Sequence, residues 1–153
     1  RKKKGNGGGG AGGGNGGGGG NYRPDNQERA FLGLINDHRR ANGRGPLSLQ
    51  NQLGVAAERH SQDQAGHDRG GHDGSDGSDA GQRITRAGYD WRAWGENVYW
   101  NSSDGSARAA FAWWKNSSRH NANMLSRTFT EIGVGRAQSE SGWWYWTTTF
   151  GDR

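Results

Sequence analysis

This sequence predicts an α+β domain, helices first and antiparallel strands later, on three observations. Apolar residues recur at helical spacing through the first half of the chain and again over 107–117. Over 128–150 the pattern changes to β-branched and aromatic residues around one polar break, the composition of a closing pair of strands. Eight Trp, four Tyr and four Phe supply core area that the low apolar share of 29% would not supply by itself.

At 153 residues the chain is the size of one domain. Residues 5–20 are Gly broken only by Asn6, Ala11 and Asn15. Such a tract has no side chains to bury against the entropy of ordering it, so 1–20 reads as a basic, Gly-rich flexible tail or linker and 21–153 as the folded domain. The first helix starts at Asp25, with Glu28 at capping-box spacing. It carries Phe31, Leu32, Leu34 and Ile35, and stops at the Asn42-Gly43 pair. A second helix is expected over 49–64 through Leu53, Val55, Ala56 and Ala57. The Gly, Asp and Ser run of 66–81 reads as a long loop, and 80–87 as a short helix closed by Gly88. Residues 94–100 are too few to assign by pattern. A third substantial helix over 107–117 places Ala110, Phe111 and Trp114 on one stripe. Strands follow over 128–135 and 143–150, with 136–142 as the hairpin turn.

The formal charge is +5, and Arg1, Lys2, Lys3 and Lys4 supply four of those units. Elsewhere the charges are mixed in sign, so the folded part lacks the basic face that nucleic-acid binding requires. The basic tetrad suits weak contact with an anionic surface, or serves only to keep the tail soluble. The absence of Cys excludes disulfides, thiol chemistry and Cys-ligated zinc, and no apolar run reaches membrane-spanning length.

Four segments then occur in a telling order: Phe31-Leu32-Gly33-Leu34-Ile35-Asn36-Asp37-His38-Arg39-Arg40; His60-Ser61-Gln62-Asp63 with His72, Asp76-Gly77-Ser78 and Arg83-Ile84; Ala93-Trp94-Gly95-Glu96-Asn97-Val98; and a last one from Trp114 through Ser117, His120, Asn121 and Asn123 to Leu125, leading into Phe129-Thr130-Glu131-Ile132-Gly133-Val134-Gly135. Together they resemble the bacterial branch of the CAP (SCP-like) superfamily, kin to plant pathogenesis-related class 1 and animal cysteine-rich secretory proteins. The resemblance implies an α-β-α sandwich with a central antiparallel sheet between helical layers. It implies a secreted or cell-surface location and a cleft lined by two histidines and acidic residues. By position the cleft residues are His72, Glu96 and His120. Where many eukaryotic members carry a further Glu, this chain has Ser117, and Glu131 is the nearest acidic candidate to replace it.

Two imidazoles, His72 and His120, are a metal pair for zinc or another divalent cation, with Glu96 as a direct ligand or as the acceptor that fixes a tautomer. The alternative is a hydrogen-bonded cluster that pins loops to the sandwich, and the two readings stand side by side. The expected function is an extracellular binding module whose partner is a cation, a small ligand, a lipid, a glycan or a protein. A metal-dependent hydrolase with Glu96 as base, and a purely structural displayed domain, are the competing classes. A hydrolase needs a defined third ligand as well as a base beside the bound water, more than two histidines and one glutamate supply. The Asp73, Asp76 and Asp79 spacing lacks the calcium-loop pattern and reads as a Gly/Asp turn. His38, His60 and His67 read as surface, packing or loop residues, and Trp143, Trp144 and Trp146 as core-filling.

Overall fold

The computed structural model describes residues 20–153. The tail expected over 1–20 therefore lies, except for Gly20, outside the described residues. Gly20 itself accepts a hydrogen bond from the Asn51 side chain. Five helices, α1 (Asn26–Ala41), α2 (Asn51–His67), α3 (Ala80–Arg86), α4 (Ala107–Lys115) and α5 (Ser118–Met124), accompany four strands, β1 (Ser48–Leu49), β2 (Ala93–Asn101), β3 (Glu131–Gln138) and β4 (Trp144–Asp152). The sheet order is β1-β3-β4-β2. The long strands β3, β4 and β2 run antiparallel, while the two-residue β1 adds a short parallel edge beside β3.

Helices cover both faces of this sheet, and each face has its own apolar core. Strand β4 is buried along nearly its whole length because its alternate side chains face the helical layers on both sides of the sheet. Trp146 and Phe150 join Phe31, Ile35, Trp114 and Met124 beneath α1, α4 and α5. On the opposite face Thr147 bonds to Ser61, and the Thr149 hydroxyl donates to the Leu53 carbonyl of α2. Leu53, Val55, Ala56, Ile84, Ala87 and Tyr89 form the second core there. The expected α-β-α sandwich is the observed fold.

The α1 boundary follows its local chemistry. Asp25 and Glu28 form the reciprocal capping box, and Gly43 beyond the helix has φ +74°, a left-handed conformation natural to Gly. Other boundaries move. Leu49 belongs to β1, where it pairs with Ile132, and α2 starts after Gln50, whose side chain caps Leu53 N–H. That helix also runs three residues beyond the expected end and closes on Asp68 at φ 49°. Residues 94–100 fall within β2, and the expected third helix breaks at Asn116 so that α5 can form a separate turn. Asp76 and Asp79 serve the loop they sit in: Asp76 accepts Ser78 N–H and pairs with Arg86, and Asp79 caps α3. Trp146 is fully buried, as a core aromatic should be, whereas Trp143 is substantially exposed.

Helix α2 lies unusually close to β3. A Cβ built on Gly133 would stand 2.1 Å from the Leu53 backbone carbon, and one on Gly135 would stand 2.6 Å from that of Ala57. Glycine at these two positions lets a helix backbone rest almost directly on a strand.

Candidate functional site

The site forms at the free edge of β2, where the two helical layers meet across the sheet. Its centre is the pair Glu96-Asn97. Adjacent residues of a strand point to opposite faces, so this dipeptide sends one polar side chain into each layer. Both are buried. Preceding them, Gly95 leaves room for the Phe129 ring, which a Cβ would approach to 2.9 Å.

On the α2/α3 face Glu96 is held at both oxygens. Its Oε1 is 2.9 Å from His72 Nδ1, and its Oε2 accepts from Arg83 Nη2 at 2.7 Å. The Glu96 side chain is 1% exposed and that of Arg83 10%, so this ion pair is desolvated, while His72 is 58% exposed. A second donor of the same guanidinium, Arg83 Nη1, reaches the Ser78 carbonyl at 2.8 Å and ties the loop carrying His72 to α3. A carboxylate must accept rather than donate, so His72 Nδ1 carries a proton, and in the neutral ring Nε2 holds the lone pair.

On the opposite face Asn97 Nδ2 donates to the His120 carbonyl at 3.0 Å, and its Oδ1 accepts from Asn123 Nδ2 at 2.9 Å. These bonds seat α5 against the strand. Ser117 occupies the N-cap position of α5 yet makes no capping bond to the helix backbone. Its hydroxyl lies instead 2.7 Å from His120 Nδ1, one turn along. An N-cap serine ordinarily stabilises a helix by about 1 kcal/mol through that backbone bond; here the hydroxyl orients an imidazole. Burial lowers the His120 pKa first, and the nearby charges of His72 and Arg119 lower it further. Trp113 meets the His120 ring edge-on at 5.1 Å and, with Tyr99, Ala109, Ala112, Asn116 and Ser117, lines an open groove beside it.

At the β2 edge, then, His72 stands with Glu96 on one face and Ser117 with His120 on the other, whereas Glu131 belongs to neither pair. It lies on β3, across β4 from the site strand, and its carboxylate accepts from the Tyr89 hydroxyl at 2.7 Å and from Arg153 Nε at 3.1 Å. The position of Glu131 as a substitute cleft acid is corrected accordingly: an ordinary ion pair holds it on the far part of the sheet. Among the described residues no three His, Asp or Glu side chains are grouped to hold a metal ion. The roles of Arg83, Asn97 and Asn123 were not assigned from the sequence, although all three stand inside its four telling segments. The His38 imidazole, 2.8 Å from the Asn121 side chain, braces α5 against α1.

A four-stranded sheet between two helical layers, with a histidine delivered from each layer to one sheet edge, defines a CAP-type domain. The family model for the cysteine-rich secretory protein family, CAP, matches residues 32–150, and the chain belongs to that family. It is 28% identical over 116 residues to the uncharacterized protein YkwD of Bacillus subtilis, a match spanning 76% of this chain and 44% of that longer protein. It is 27% identical over 126 residues to pathogenesis-related leaf protein 6 of Solanum lycopersicum, covering 78% of this chain and 74% of the tomato protein. Among solved structures, an extracellular protein containing an SCP domain from Bacillus anthracis superposes with a TM-score of 0.75 at 26% identity. That alignment covers 83% of this chain and 40% of the other. The chain therefore spans less than half the length of these two bacillar relatives.

Proposed function

We propose that this chain is an extracellular binding module that takes a divalent cation, zinc in the first instance, between His72 and His120 at the β2 edge. One observation carries the reading: each imidazole has Nδ1 engaged by a neighbour, Glu96 for His72 and Ser117 for His120, and with the Ser117 hydroxyl accepting from His120 the Nε2 lone pair of both neutral rings is free to ligate. The donor set fits such an ion. Neutral imidazole is a common zinc ligand, and a hydrogen-bonded partner on the other ring nitrogen fixes its orientation and raises its basicity. When bound, the ion would supply a Lewis-acidic centre with coordination positions left for a ligand from solution. Two protein ligands make that site weak and exchangeable rather than structural.

The engagement of Glu96 favours binding over hydrolysis. Its two oxygens face His72 and Arg83, so the carboxylate that a metal hydrolase would use as general base is already committed to an ion pair. An extracellular setting agrees with the description of the Bacillus anthracis relative, and among the described residues no helix is long and apolar enough to cross a membrane. The deciding experiment is isothermal titration of the full chain with zinc. Saturable heat in the wild type, lost in both His72→Ala and His120→Ala, is the expected result. No heat in the wild type would leave the cluster as a structural fastening of the two layers.

A further inference from the structure

The sequence alone left His60 as a packing or surface residue, but its contacts give it a more particular place. It lies on α2 and is 1% exposed. Its Nε2 is 2.8 Å from the carbonyl oxygen of Gly71, the residue immediately before His72. One turn further along the same helix face, Gln64 Oε1 accepts the Gly71 N–H at 3.0 Å. Both backbone polar groups of Gly71 are therefore held by one helix. Gln64 is itself anchored, through Nε2 to Thr147 Oγ1 at 3.2 Å. Gly71 has φ +146° with open space where a Cβ would stand, so its glycine meets a conformational rather than a steric demand. Asp63, on the same helix, fixes the far side of the loop by accepting from both the N–H and the hydroxyl of Ser75.

A carbonyl can only accept, so His60 carries its proton on Nε2. Its Nδ1 is then a bare acceptor, buried with no hydrogen-bond partner. A buried imidazole gives up solvation at both nitrogens, and here one remains uncompensated, a cost a purely apolar side chain would avoid. The return is geometric: a helix backbone is rigid, and two of its side chains fix the peptide from which His72 projects.

We infer that His60, acting with Gln64, is the positioning residue for His72: it grips Gly71 so that the His72 ring is presented to Glu96 with Nδ1 protonated and, in the neutral ring, the lone pair on Nε2. The inference rests on the proposed role of His72 for its consequence in metal binding, though not for its geometry.

The test is imidazole nitrogen NMR on the metal-free full chain at about pH 8, followed by zinc titration of the same samples. In the wild type His60 is expected as the Nε2–H tautomer and His72 as the Nδ1–H tautomer. In His60→Leu, the His72 signal is expected to shift toward the Nε2–H form that free imidazole side chains favour. Zinc affinity is expected to fall about tenfold, at the lower end of the effect of outer-shell partners. His60→Gln, which restores an N–H near the Nε2 position, is expected to recover both. A folded His60→Leu protein with His72 still Nδ1–H would overturn the inference. So would a wild-type His60 bearing its proton on Nδ1, a result that needs no variant to fold. If zinc fails to bind the wild type while His60→Leu still shifts the His72 tautomer, the metal reading falls and the positioning role stands.

Discussion

At the scale of single residues, the site depends on a buried charge being paired. Glu96 is almost wholly removed from water, and Arg83 is the neighbouring cation with which it shares a 2.7 Å contact. His72 stands on the other oxygen but is mostly exposed, so it does not replace the guanidinium. Breaking a buried ion pair from one side strands the other charge and typically costs about 3–5 kcal/mol. Arg83→Ala is therefore expected to lower the unfolding free energy by about that amount in urea denaturation. A loss below about 1 kcal/mol would mean that Glu96 is far better solvated than its burial implies. Glu96 was legible in the sequence because a Gly-Glu-Asn run in the right order resembles a family motif. Arg83 lay in the quoted segments too, but nothing in a linear sequence says that a helix residue thirteen positions earlier will face that carboxylate.

At the scale of elements, what was legible followed from amphipathic patterning, and what was missed lacked it. Helix α1 could be placed by its capping box and apolar stripe, and it lies where expected. Strand β2 could not, because Gly95, Glu96, Asn97 and Val98 are buried in succession: the polar members serve the site, and no apolar alternation remains to be seen. Helix α5, with only Met124 buried, has no stripe at all and depends on Asn97, Asn123 and His38 for its seat. The packing of α2 on the sheet was equally hidden, since a glycine in a strand reads first as a weakness. Its effect is measurable. Gly133→Ala would drive a Cβ into the backbone of α2, where no side chain can turn aside, and overpacking of this kind costs about 3 kcal/mol. Gly33→Ala, in α1 with open space around the added carbon, should instead stabilise by about 0.5–1 kcal/mol. Thermal unfolding of the two variants should move in opposite directions; equal shifts would remove the argument for a close helix–strand approach.

At the scale of the whole molecule, the N-terminal segment closes the sheet and sets its response to pH. Beyond the short β1, the outer edge of β3 has no strand beside it among the described residues. The Tyr22 hydroxyl serves both polar groups of Val134, and Glu28 Oε2 accepts Arg136 N–H at 2.7 Å. The Tyr22 ring reaches that edge by lying against Gly54 of α2. This arrangement buries carboxyls close together. Burial, with repulsion from Glu58, pushes Glu28 from its ordinary 4.5 up to about 8, and burial with repulsion from Asp25 pushes Glu58 up to about 7. Between about pH 4.5 and 8 the folded chain holds protons on these groups that the unfolded chain has released, so their contribution to stability is lost as pH rises through that window. Burial lowers the pKa of His60, which works in the opposite sense: its contribution is present above the ordinary value of 6.5 and is lost as pH falls. The melting temperature should therefore pass through a maximum and decline toward pH 8. Glu58→Gln removes one titrating carboxyl, so its melting temperature should gain on the wild type steadily from pH 5 to pH 8. Parallel curves for the two proteins across that range would show that Glu58 titrates alike in the folded and unfolded chain, and the closed edge would then have no part in the pH response.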